Sequence, residues 1–104
     1  MGFFNSVFGG GINENLATLV NEGAFLVDVR SPSEFVEGNV QGSTNIPLDQ
    51  VSSNLDKFKG KEKIVVFCRS GNRSGQAKAI LEQNGFANVT NGGTWEDINA
   101  VINK

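Results

Sequence analysis

The chain has no histidine and no tyrosine, and only one cysteine, one tryptophan and two prolines. Each scarcity excludes something. Without histidine, Cys–His and Ser–His nucleophilic catalysis are ruled out, and so are most zinc sites. No metal and no other cofactor is expected. A single cysteine cannot close an internal disulfide, so nothing demands an oxidising compartment. The N-terminus has neither a charged start nor a long apolar core, so no secretory signal is expected. Those two absences set the expected location as cytoplasmic. No apolar stretch approaches membrane-spanning length, and no membrane span is expected. There is also no basic excess: the net charge is −2 and the pI is near 5.0. A nucleic-acid surface is therefore not expected, and any basic site must be local.

What is present suits one globular domain. A length of 104 residues supports one hydrophobic core. Thirteen glycines against two prolines point to tight turns. Residues 1–11 read as an apolar segment, with Phe3, Phe4, Val7 and Phe8, ending in the glycine linker Gly9-Gly10-Gly11. That segment is expected to cover part of the domain or to contact a partner. Its Met1-Gly2 start with Ser6 also fits the short, chance-prone pattern for N-myristoylation. Residues 12–104 read as the domain.

Within that domain, Asn13 or Asn15 can cap a first helix that Gly23 stops. Phe25 to Val29 is a nearly continuous apolar run, the mark of a strand covered on both faces. Ser31, Pro32 and Glu34 form a capping box with proline at the first helical position, and Gly38 ends that helix. Gly42 to Pro47 reads as a short extended piece, and Asp49 to Phe58 as a weaker helix. A buried strand over 63–67 follows, then a helix from Ser74 to Asn84. Ala87 to Thr90 reads as a strand and Gly92-Gly93 as a turn. Thr94 with Asp97 then caps a last helix carrying Trp95, Ile98, Val101 and Ile102. Strands alternate with helices throughout, which predicts an α/β fold with a mainly parallel sheet. Lys57, Lys59, Lys61 and Lys63 read as a solvated edge.

The most informative stretch is Cys68-Arg69-Ser70-Gly71-Asn72-Arg73-Ser74. It follows the strand and opens the helix, so Cys68 lies at a strand C-terminal end, where such sheets bind ligands. Backbone N–H groups at a helix N-terminus favour negative charge, so a thiolate forms there more easily. A lone cysteine can instead be a small buried hydrophobe. The polar residues that follow it argue for a surface loop and a working thiol.

Four stretches resemble the rhodanese family of sulfurtransferases. Leu26 to Phe35 contains Asp28-Val29-Arg30 with Glu34-Phe35. Gly38 to Pro47 contains Gly42-Ser43-Thr44-Asn45-Ile46-Pro47. The cysteine loop from Cys68 to Ser74 is the third. The fourth is Gly85-Phe86, Val89, Gly92-Gly93 and Trp95. Together they cover about residues 12–103. The resemblance implies a central, mainly parallel five-stranded sheet with helices on both faces. It also implies transfer of a sulfane sulfur from thiosulfate or a persulfide donor through a Cys68 persulfide. The acceptor would be a thiol, such as that of a small protein like thioredoxin, or cyanide. Arg69, Ser70, Gly71, Asn72, Arg73 and Ser74 would bind the small anionic donor, their amides turned inward as a nest. One arginine would orient the donor and the other pair within the protein. The residue types do not distinguish them. Asn39, standing where the family usually has histidine, and Trp95 are candidates for the pocket rim, although Trp95 equally suits the core. Asp28, Arg30 and Glu34 are expected as structural support, with Arg30 pairing to Glu34 or Asp28.

Rival readings remain. Cysteine-dependent phosphatases and arsenate reductases need Cys-x5-Arg to encircle a tetrahedral oxyanion, whereas here the spacing is Cys-x4-Arg. A non-enzymatic regulatory module would not need both Cys68 and Arg73. A dedicated sulfur carrier would use the same cysteine and differ only in preferring a protein persulfide to free thiosulfate.

Overall fold

Residues 10–103 are described by the computed structural model of the chain. Four strands form one sheet among them: β1 (Phe25–Asp28), β2 (Thr44–Asn45), β3 (Ile64–Cys68) and β4 (Val89–Thr94). Their order is β2-β1-β3-β4, and every neighbouring pair is parallel. Four helices accompany them: α1 (Gly10–Asn21), α2 (Pro32–Glu37), α3 (Asn72–Gln83) and α4 (Trp95–Ile102). No helix among the described residues is long and apolar enough to cross a membrane.

The strand period of two divides the core into two layers. Ile64, Val66 and Cys68 of β3 pack with Phe58 and with Ala77 and Leu81 of α3. Val65 and Phe67 turn the other way, toward Leu16 of α1 and Ile98 of α4. All five residues of β3 are buried. A continuous apolar run is what a central parallel strand covered by helices on both faces requires.

The sheet has four strands where five were expected. The residues ahead of β1 are helical, and no further extended run is available among those described. Helix α1 begins at Gly10, before Asn13 and Asn15. Glycine weakens a helix by about 1 kcal/mol relative to alanine but does not forbid it. The Phe-rich stretch and the myristoylation pattern lie outside the described residues.

Two other elements differ from expectation. The helix expected over 49–58 is two 3-10 turns, Leu48–Gln50 and Leu55–Phe58. Ser53 Oγ and Asn54 Nδ2 both donate to the Gln50 carbonyl, at 3.1 and 2.8 Å. Such local bonds compete with a continuing helix. Gly92-Gly93 is not a turn but part of β4. Val66 pairs with Asn91 and Phe67 with Gly93, so Gly92 is the extra residue of a bulge. A Cβ on Gly92 would lie 2.8 Å from Val65 Cγ1 and 2.9 Å from Ile98 Cδ1, so only glycine fits between those side chains.

Helix α2 has the expected start. Ser31 Oγ accepts the Glu34 N–H, and Glu34 Oε1 accepts the Ser31 N–H at 3.0 Å. Thr94 likewise caps α4 by accepting the Asp97 N–H at 3.1 Å.

Candidate active site

Cys68 ends β3 and the chain turns at once into α3, two residues earlier than the Ser74 start expected. The turn depends on Gly71. Its φ of +93° is open to glycine and strained for other residues, and it caps α3 without a side-chain bond. This conformation aims the Gly71 N–H at Cys68 Sγ, 3.0 Å away.

The sulfur itself is fully buried, not exposed on a surface loop. Strand alternation turns it into the layer beneath α3, where Val29 and Leu48 belong to the same cluster. Ser74, on the first turn of α3, is also fully buried, with its Oγ 3.5 Å from Sγ. Burial by itself pushes the Cys68 thiol up. Hydrogen bonds from the Ser74 hydroxyl and from the backbone N–H groups of Ser74, Ser70 and Gly71 outweigh it. The thiol is held below its ordinary value.

The charged residues are distributed in pairs. Arg30 binds Asp28 through Nε and Nη2 at 2.8–3.0 Å, and both residues are buried. Nη2 of Arg30 also donates to the Gly38 carbonyl at 2.6 Å. This ties the end of β1 to the end of α2. Of the two partners expected for Arg30, Asp28 is the one it takes. Glu34 instead accepts from Arg73 Nη1 and Nη2, at 2.8 and 3.1 Å. Arg69 is exposed and makes no ion pair among the described residues.

The two loop arginines face different spaces. Arg73 lines a cleft of about 340 Å³ with Val29, Pro32, Pro47 and Leu48. Val29 and Leu48 also pack in the Cys68 cluster, so this cleft adjoins the sulfur's layer. Arg73 further interacts electrostatically with Cys68. Arg69 lines a smaller cavity of about 240 Å³ on the other side, with Trp95, Glu37 and Glu96.

Trp95 is partly buried and lines the smaller cavity, not the cleft beside Arg73. It packs on the Leu16 and Ile98 layer and forms a wall of the smaller cavity, with the Arg30 guanidinium 4.7 Å over its ring. Asn39 is exposed, and its Nδ2 donates to the Phe35 carbonyl at 2.9 Å, closing the end of α2. It lines neither cavity beside the loop arginines. Ser70 on the loop and Asn72 at the start of α3 are exposed, joined by the Asn72 N–H donating to Ser70 Oγ at 3.4 Å. No cluster of three or more metal-ligating side chains occurs among the described residues.

Two asparagines near the loop were given no role from the sequence, although Asn45 falls in the Gly42 to Pro47 stretch. Asn45 Nδ2 donates to the carbonyls of Asp28 and Arg30, at 2.9 and 3.0 Å. Asn91 contacts Ser74, Gly71 and Gly93. Both lie in strands, where asparagine is disfavoured, and that misplacement was the available signal.

A fold with a thiol at the end of a central parallel strand, under a helix N-terminus, defines a class. The model of the Rhodanese-like domain matches residues 13–95, and the chain belongs to this family. It is 39% identical over 77 residues to thiosulfate sulfurtransferase PspE of Escherichia coli, covering 69% of this chain and 71% of that one. A solved structure, a rhodanese with anions from E. coli, superposes with a TM-score of 0.66 at 35% identity, covering 72% and 91% of the two chains. The human single-domain sulfurtransferase TSTD1 gives a TM-score of 0.71 at 30% identity, covering 81% and 88%.

Proposed function

We propose that this protein is a rhodanese-type sulfurtransferase that carries sulfur as a persulfide on Cys68. The observation that carries the reading is the sulfur at the N-terminus of α3, which accepts the Gly71 N–H and is held below its ordinary pKa. The Cys68 thiolate attacks the sulfane sulfur of thiosulfate. The thiosulfate S–S bond breaks and sulfite leaves with the electron pair. An acceptor then attacks the outer sulfur of the persulfide. Cyanide leaves as thiocyanate, or an external thiol leaves as its own persulfide, and the Cys68 thiolate is restored. Hydrogen bonds that hold the thiol below its ordinary value ease its ionisation without a dedicated general base.

Arg73 is the arginine assigned to the donor. Its guanidinium has N–H groups beyond the two that Glu34 takes, and it lines the cleft on the sulfur's side of the sheet. Arg69 faces the smaller cavity, where Arg30 and Arg69 stand among Glu34, Glu37 and Glu96. The thiosulfate sulfurtransferase PspE and the E. coli rhodanese solved with anions support a small anionic donor.

The test is thiosulfate:cyanide transfer run beside hydrolysis of an aryl phosphate. Thiocyanate formation without phosphate release is expected. Phosphate release without thiocyanate overturns the reading.

A further inference from the structure

Ser74 is fully buried and has one proton for two acceptors. Its Oγ lies 2.7 Å from Asn91 Oδ1 and 3.5 Å from Cys68 Sγ. The Asn91 amide cannot choose its orientation. Oδ1 already accepts the Gly93 N–H at 3.0 Å, while Nδ2 donates to the Gly71 carbonyl at 3.1 Å. Reversing it would set donor against donor and oxygen against oxygen. The atom facing Ser74 is therefore an oxygen that can only accept, and it competes with sulfur for the hydroxyl proton.

A consistent chain follows when the sulfur is protonated. Sγ–H donates to Ser74 Oγ, and Oγ–H donates to Asn91 Oδ1. When the sulfur is a thiolate, the hydroxyl gains most by turning its proton to Sγ, because bonds to charged acceptors are the stronger ones. Asn91 Oδ1 then keeps only the Gly93 N–H. We propose that Asn91 is a positioning residue that competes with the Cys68 thiolate for the Ser74 proton, and so sets how readily the sulfur is held as an anion. The proton turns to Sγ while the charge is there. It returns to Asn91 when the charge has moved to the outer sulfur of a persulfide. Only a hydroxyl rotates, and no bond is made or broken in the switch.

The other charges around Cys68 act independently of this exchange. Arg73 acts from α3, the Asp28–Arg30 pair from β1, Asp49 from the turn beside the cleft, and Arg69 from the loop. Strand β4, which carries Asn91, has no ionisable residue. Asn91 also anchors Gly71, whose N–H binds the sulfur. Removing Asn91 thus has two effects of opposite sign. Losing the competitor favours the thiolate, and loosening Gly71 disfavours it.

A double-mutant cycle separates them. Cys68 is the only cysteine, so the pH midpoint of its alkylation by iodoacetamide, as distinct from the absolute rate, reports the ionisation of one thiol. The inference rests on Cys68 as the working nucleophile, but this titration reads out whether or not sulfur is transferred. Ser74→Ala is expected to raise the thiol pKa. Asn91→Ala should favour ionisation about threefold more when Ser74 is present than in the Ser74→Ala background. Asn91→Asp, which holds the proton on a carboxylate, should disfavour it more with Ser74 than without. Equal effects of the Asn91 substitutions in both backgrounds, or coupling of the opposite sign, overturn the proposal and reduce Asn91 to a loop anchor. Asn91→Asp decides the matter if Asn91→Ala does not fold.

Discussion

Arg73 and Glu34 are joined by two hydrogen bonds of 2.8 and 3.1 Å, linking the first turn of α3 to the first turn of α2. The same carboxylate closes the α2 capping box on Ser31. One residue thus caps a helix and fixes the arginine beside the sulfur.

A pH dependence of stability follows from this pairing. The Arg73 guanidinium first, then the Ser31 N–H, bring the Glu34 carboxyl down to about 2. A depressed carboxyl contributes stability that is present above its unfolded value, near 4.5, and lost as pH falls through the folded one. Solvent reaches the pair, so the contribution is modest, about 1 kcal/mol. Denaturant titrations should show wild type losing this between pH about 4.5 and about 2, with the Glu34→Gln variant losing less over the same window. Parallel pH profiles for the two proteins would show that the pair adds nothing.

Gly71 should be irreplaceable for the sulfur's ionisation. Alanine at φ +93° costs about 1–2 kcal/mol and shifts the N–H that now lies 3.0 Å from Sγ. Gly85 offers a control with φ +94° and open space around it. Both alanine variants should lose similar stability, and Gly71→Ala alone should raise the alkylation pKa of Cys68. Equal titrations in the two variants would contradict the role given to the Gly71 amide.

The arginines should separate by donor. Arg73→Ala is expected to raise the thiosulfate concentration needed for half-maximal rate about tenfold, with a smaller effect on a neutral sulfur donor. Arg69→Ala should change it less than threefold. A larger loss from Arg69→Ala, or equal losses for charged and neutral donors with Arg73→Ala, would reverse the assignment.

Much of this arrangement was legible in the residues. The apolar run within 63–67 reads as a buried strand, one residue short of the observed Ile64–Cys68, and Ser31, Pro32 and Glu34 specify a helix start by local chemistry alone. Local rules failed where tertiary contacts decide. Gly92-Gly93 has the composition of a turn, but Val65 and Ile98 press on Gly92 and hold it in a strand. Arg30 had Asp28 and Glu34 within sequence reach, whereas Arg73 had no carboxylate near it in the chain. Only the spatial meeting of α2 with α3 assigns Glu34 to Arg73, across 39 residues. The depth of Cys68 was hidden for the same reason. A polar loop follows it, yet strand alternation and the close packing of Ser74 cover the sulfur.

The most direct test of the account is the intact mass of the protein after incubation with thiosulfate and removal of excess reagent. Wild type should gain the mass of one sulfur atom, which cyanide then removes as thiocyanate. Cys68→Ser should be folded and gain nothing. An unmodified wild-type mass together with undiminished transfer, or the same gain in Cys68→Ser, would contradict a persulfide carried on Cys68.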